Sequence, residues 1–343
     1  MARTSRSSGN VTIIDVAQAA GVSYATVSRV LNNDRHVKPD TRDRVIRSVT
    51  RLGYTVNQQA RTLAGGRSHV VGLLVPDLGT GYIGEIIRGI DEELSAAQYD
   101  LMLYTTHRRK TKESSYVASL TQGMADGLLL VLPRDPAEYL SSLRQRHFPY
   151  VLIDHQGISE AESAVGAANR QGGYAATKYL VELGHRRIGF VTGTLDLGCS
   201  RDRREGHRSA LRDLGVPIDP DLIREGDFEQ PRGYTAAMEL LDLAQPPTAI
   251  FASNDVMAFG VMEAVRVRGL RIPEDVSIVG FDNIPQSAHV SPQLTTIEQP
   301  LAEMGRDATR RLLSLIENPD LPLTRVELPT KLVVRASTRT LTR

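Results

Sequence analysis

A single cysteine, Cys199, in a chain of 343 residues leaves no partner for an internal disulfide and no thiolate set for a zinc cluster. No apolar run approaches the roughly 20 residues that a membrane span takes. The longest, GLLLVL at 127–132, reads as a buried strand, so no membrane partner is expected. The opening MARTSRSSGN lacks the apolar stretch of a secretory signal and reads as a basic arm, which makes a cytoplasmic protein the expectation. No Ser/His/Asp, Cys/His or metal-ligand spacing stands out, and the sequence calls for no cofactor; both argue against an enzyme. What is present, 41% hydrophobic and 24% charged residues over a length too great for one core, fits a globular chain of two or three domains.

Charge is unevenly spread along the chain. Up to Arg67 there are 11 basic and 4 acidic residues, a net +7, which leaves −6 on the remainder of a chain whose total is +1. A basic head on an acidic body is the electrostatic pattern of phosphate-backbone binding. Within that head, residues 11–32 (VTIIDVAQAAGVSYATVSRVLN) predict two short helices and a tight turn. Thr12 and Asp15 form a capping box, Ile13, Val16, Ala17 and Ala20 share one face, and Gly21 stops the first helix. Ser23 caps the second, whose Val27, Val30 and Leu31 turn inward and leave Tyr24, Ala25, Thr26 and Arg29 in front. In a helix-turn-helix those positions enter the major groove. A third helix runs from Pro39 to Leu52, with Val45, Ile46, Val49 and Leu52 as its apolar face and Gly53 as its stop.

Between Asn57 and Arg67, QQARTLAGG is helix-capable but too short to be stable alone. Gly65, Gly66 and Ser68 would equally suit a plain linker. From Ser68 onward, short apolar runs alternate with amphipathic helices in two successive series. This predicts two doubly wound lobes with parallel sheets, in which ligands sit outside the carboxyl ends of the strands. Gly79, Gly81 and Gly84 spell GTGYIG, and THRRK follows the next strand, so an NADP site using Arg108 and Arg109 must be weighed. In the dinucleotide fingerprint the glycines follow the strand directly, whereas Pro76, Asp77 and Leu78 intervene here and lengthen the turn, which weakens that reading.

The run at 11–32, then NQQARTLAGGRSHVVGLLVPDL, ASNDVMAFG, VGFDN, LTTIEQP and LVVRAST, in this order and at these separations, resembles the lactose-repressor (LacI/GalR) family of bacterial transcription regulators almost end to end. The resemblance implies a helix-turn-helix headpiece (1–56), a hinge (57–67) and a two-lobed, periplasmic-binding-protein-like core (68–343). The first lobe would take residues 68–168 and 298–328, and the second 169–297 and 329–343. Carried over residue by residue, it implies DNA contacts from Thr12, Ser23, Tyr24, Ala25, Thr26, Ser28, Arg29, Asn32 and His36, and from Asn57, Ala60, Leu63 and Ala64 of the hinge. There Leu63 would wedge into the minor groove.

For the effector it implies Tyr82, Asp154, Arg203, Phe228, Asn254 and Asp282. A guanidinium fork, an amide and carboxylates suit vicinal hydroxyls, so a sugar or related polyol is the favoured ligand. Leu197 stands where the purine-responsive branch would have an arginine, which disfavours a purine. Ala25 replaces the amide of the lactose repressor, leaving the base preference open. No leucine-heptad tail follows KLVVRAST, so a homodimer is expected. The expected function is a repressor that binds a pseudo-palindromic double-stranded operator under control of a small molecule between the lobes. An NADP enzyme and a sugar-transport binding protein are the rivals.

Overall fold

The computed structural model describes residues 11–31, 34–54, 67–134, 136–155 and 162–341. The chain divides into two compact units, Met1–Ser68 and His69–Arg343.

Among the described residues the first unit holds three helices, α1 (Ile13–Ala20), α2 (Tyr24–Leu31) and α3 (Pro39–Leu52). Thr12 and Asp15 cap α1 reciprocally: the Asp15 carboxylate accepts from the Thr12 N–H at 2.8 Å, and Thr12 Oγ1 accepts from the Asp15 N–H at 3.3 Å. Gly21 and Gly53 close α1 and α3 in the left-handed conformation, each at φ 63°. Val16, Ala17, Ala20, Val27, Val30 and Val45 make the core. The predicted face of α3 needs one correction. Ile46 is 48% exposed, and Ser48 is buried instead, its hydroxyl donating to the Arg44 carbonyl at 3.0 Å.

The second unit contains two six-stranded sheets. The first has the order β2 (Asp100–Thr105), β1 (Val70–Val75), β3 (Gly127–Val131), β4 (Tyr150–Ile153), β5 (Ala164–Ala167), β11 (Arg325–Leu328), all parallel. Packed on it are α4 (Gly81–Ala96), α5 (Lys110–Leu120), α6 (Ala137–Gln145) and α11 (Leu301–Glu317). The second has the order β7 (Ile223–Glu225), β6 (Ile188–Thr192), β8 (Ala249–Ala252), β9 (Ser277–Asp282), β10 (Thr295–Glu298), β12 (Lys331–Val333). Its helices are α7 (Asn169–Glu182), α8 (Gly198–Asp213), α9 (Gln230–Leu241) and α10 (Asp255–Val267). Only β12 among these twelve described strands runs antiparallel to its neighbour. The central strands β3, β4, β6, β8 and β9 are buried throughout, which is why they read as apolar runs and not as alternation.

The chain passes between the lobes at Ala168, after Glu298 and between Leu328 and Lys331. Helices α7 and α8 meet backbone to backbone near the first of these passages. A Cβ on Gly173 would come within 2.4 Å of the Arg203 carbonyl oxygen, and one on Gly206 within 2.1 Å of that of Arg170. This contact brings Arg203 up against the start of α7.

Candidate functional site

In the helix-turn-helix, Ser23 Oγ accepts from the Thr26 N–H at 3.2 Å and so caps α2. Tyr24, Ala25 and Arg29 project into solvent from its first two turns, Tyr24 at 53% exposure, with Thr26 and Ser28 beside them and partly covered. Thr12 is spent on the α1 capping box. His36 is exposed and lies on Asp34, whose carboxyl its backbone and ring bonds hold below the usual carboxylate range. Asn32, Asn57, Ala60, Leu63 and Ala64, named for DNA contact, lie outside the described residues.

The core carries its polar side chains where the fold predicts, at the carboxyl ends of strands facing the gap between the lobes. A cavity of about 60 Å³ is lined there by Tyr82, Asp154, Arg203, Phe228, Asn254 and Asp282, the six residues named from sequence, together with Asp77, Arg108, Leu132, Arg134, Leu197 and Cys199 among others. Left-handed backbone gathers at the same place. Leu132, Asp154 and Phe228 have φ of 48°, 53° and 71°, and Asp282 reaches 113°. Each such non-glycine conformation costs about 1–3 kcal/mol and persists where the surroundings enforce it.

A continuous polar chain crosses between the lobes under this cavity. In the first lobe the Tyr82 hydroxyl donates to Asp154 Oδ2 at 2.8 Å. Asn169, at the start of α7, donates to Asp154 Oδ1 at 3.2 Å and accepts from Arg203 Nε at 2.7 Å. Arg203 Nη1 donates to the Ser253 carbonyl at 2.6 Å and lies 3.7 Å from Asp282 Oδ1, which accepts from Gln299 Nε2 at 2.7 Å. The Arg203 guanidinium stacks 3.9 Å from the Phe281 ring centre and stands 5.9 Å from that of Phe228. At 2% exposure Arg203 is no surface ion pair. Asn254 caps α10 by accepting from the Met257 N–H at 2.9 Å and donates to the Phe228 carbonyl at 3.1 Å.

Burial sets the protonation of these groups. It drives the Asp282 carboxyl well above its usual range, against the pull of Arg203. Burial, then the charge of Asp154, raises the Tyr82 phenol, which stays a donor. Burial likewise pushes the Cys199 thiol up to about 12, so it offers no thiolate at neutral pH. Asp255, next to Asn254 in sequence, does not line the cavity. Fully buried, it accepts from Ile284 N–H, Ser287 Oγ and Thr296 Oγ1 at 3.0, 2.6 and 2.5 Å and ties the strand ends together, its pKa raised by burial to about 6.

Two residues central to this site were not chosen from sequence. Asn169 carries no motif, and its only signal is a polar residue at a lobe crossover. Arg108 was weighed as a cofactor-phosphate ligand; here it pairs with Asp77 and Glu229. Among the described residues, no group of three His, Cys, Asp or Glu side chains is placed to hold a metal, and no helix is long and apolar enough to cross a membrane.

An exposed polar reading helix in a basic domain, with a two-lobed α/β core around a polar cavity, defines a DNA-binding transcription regulator of the ligand-responsive class. Residues 12–57 match the bacterial regulatory proteins of the lacI family, and residues 177–338 the periplasmic binding protein-like domain. The chain is 34% identical to catabolite control protein A of Priestia megaterium over 331 residues, covering 96% of this chain and 100% of the relative. It is 37% identical to the transcriptional repressor PurR of Photorhabdus laumondii over 328 residues, 95% and 96% of the two chains. The lac repressor dimer bound to operator and the anti-inducer ONPF superposes with a TM-score of 0.84 at 30% identity, covering 96% of this chain and 100% of that one. A CelR–cellobiose complex gives 0.75 at 33% identity, covering 96% and 100%. The chain belongs to the LacI family of bacterial regulatory proteins.

Proposed function

We propose that this regulator is a repressor that acts in the cytoplasm, on the nucleoid. A homodimer binds a pseudo-palindromic operator, and a sugar or related polyol held between the lobes controls it. The observation that carries the reading is the convergence of Asp154, Asn254, Asp282 and the Arg203 fork on one cavity beside the Phe228 and Tyr82 rings. Carboxylates and amides accept from and donate to vicinal hydroxyls, and an aromatic face covers the C–H face of a pyranose. Leu197 lines the same cavity and offers no polar partner to a purine. Solved relatives hold sugars: cellobiose in the CelR complex, and ribose in a regulator from Enterococcus faecium that is 31% identical, with a TM-score of 0.72 over 80% of this chain and 100% of that one. Tyr24, Ala25, Thr26, Ser28 and Arg29 are proposed to meet the major groove.

The test is a titration of the purified protein against its own promoter DNA and a scrambled duplex at fixed salt, with and without a panel of sugars and purines. Preference for the promoter, changed by one sugar, is the expected result. Equal affinity for both duplexes, unmoved by every ligand, would sink the proposal.

A further inference from the structure

Arg108 leaves the first lobe at the carboxyl end of β2 and ends on the second. Its Nε and Nη2 hold Asp77 Oδ2 at 3.1 and 3.0 Å within its own lobe. Its Nη1 donates to the Asp227 carbonyl at 2.8 Å, and the guanidinium pairs with the Glu229 carboxylate, both in the loop between β7 and α9 of the other lobe. A second contact has the same polarity: Arg134 of the first lobe stands 3.7 Å from Asp196 of the second. The backbone is shaped for this reach, with His107 and Arg108 both left-handed at φ 50° and 58°. Arg108, Asp77 and Phe228 line the same cavity, so the bridge borders the space it closes.

We propose that Arg108 is the closure residue of the cleft. Anchored to Asp77, it clasps the loop at 227–229 and sets both how far the lobes stand apart and how long a ligand stays between them. On opening, the guanidinium keeps Asp77 and gives up Asp227 and Glu229. The bonds lost are a charge-assisted bond to the Asp227 carbonyl and the ion pair with Glu229, made by two nitrogens of one rigid fork, which fixes the two lobes at one spacing. Entry of a sugar parts the clasp, and its reforming over the sugar retains it, so the effect falls on dissociation more than on association. The retention half rests on the proposed effector site; the lobe-spacing half does not.

The test uses the full chain with spin labels at Ser119→Cys on α5 and Ala244→Cys beyond α9, both exposed, while the native Cys199 is buried. Interlobe distances are measured in the parent and in Arg108→Gln and Glu229→Gln, which remove opposite ends of the bridge at partly exposed positions. Both substitutions are expected to move the distance distribution outward, and to speed dissociation of whichever of ribose, glucose or cellobiose the parent binds by about tenfold. Distributions that coincide with the parent in both variants would overturn the proposal. An outward shift in a protein that binds none of these sugars supports the clasp and counts against the sugar reading alone.

Discussion

Asn169 and Arg203 meet at 2.7 Å at the passage between the lobes, the amide oxygen accepting from Nε while the amide nitrogen donates to Asp154 on the other side. One buried amide thus joins a carboxylate of the first lobe to a guanidinium of the second, using donor and acceptor in the only orientation the two partners allow.

Replacing Asn169 with Ala leaves buried groups of both lobes short of a partner. The urea unfolding midpoint should fall by an equivalent of about 1–3 kcal/mol. The factor by which effector alters operator affinity should fall as well, because Arg203 and Asp154 lose their shared reference point. An unchanged effector response at reduced stability would make Asn169 a packing residue only.

Gly193 lies under the Phe228 ring, and a Cβ there would sit 2.0 Å from Phe228 Cζ. Gly193→Ala must therefore swing the ring, which borders the cavity. We expect effector binding to drop by an order of magnitude or more while operator affinity without effector stays within about twofold. Calorimetric titration and a DNA-binding isotherm on the same preparation separate the two, and intact effector affinity would mean that Phe228 does not cover the ligand.

Arg29 projects from α2 and is exposed. Arg29→Ala should weaken operator binding and, if its partner is a phosphate, reduce the slope of log K against log salt by about 1. An unchanged slope with relaxed sequence preference would assign Arg29 to a base edge instead. Unaltered affinity and slope would remove it from the interface.

His207 is 1% exposed, bonded to Thr177 at 2.8 Å and stacked 4.6 Å from Phe190, and burial lowers its pKa from 6.5 to about 3. A depressed histidine contributes stability that is complete above the unfolded value of 6.5 and is lost as pH falls toward 3. Asp255, raised from 3.8 to about 6, acts with the opposite sign: its contribution is complete below 3.8 and is lost as pH rises through about 6. Between pH 7.5 and 6 His207 by itself should account for about 1 kcal/mol of lost stability. His207→Gln should remove that portion of the decline. Parallel urea-stability profiles for parent and variant would contradict the assignment.

The head was legible because its signals are local. Thr12 and Asp15 are three residues apart, Gly21 and Gly53 take the left-handed turns that only glycine adopts cheaply, and the valines of α1 and α2 recur at helical spacing. Ile46 was misplaced on the core face because helical period cannot tell Val45 from its neighbour where the domain buries one narrow stripe. β5 and β11, four residues each, and β7, three, are too short to be seen without their neighbours. The site residues Asp154, Asn254 and Asp282 mark strand ends in the sequence, and the resemblance supplied their roles. Asn169 and Arg108 escaped because their partners Asp154 and Arg203, and Asp77, Asp227 and Glu229, lie far along the chain, and nothing local records such pairings.

By itself the sequence determined the order of helices and strands, the basic head and acidic body, and the family, because these depend on periodicity, capping and charge within short windows. Only the tertiary structure decided which charges meet. It buried Arg203 beside Asp282, tied Asp255 to strand ends, and carried Arg108 across to the loop at 227–229. The strength and protonation of such groups depend on distance and on exclusion of water, and both are properties of the assembled lobes.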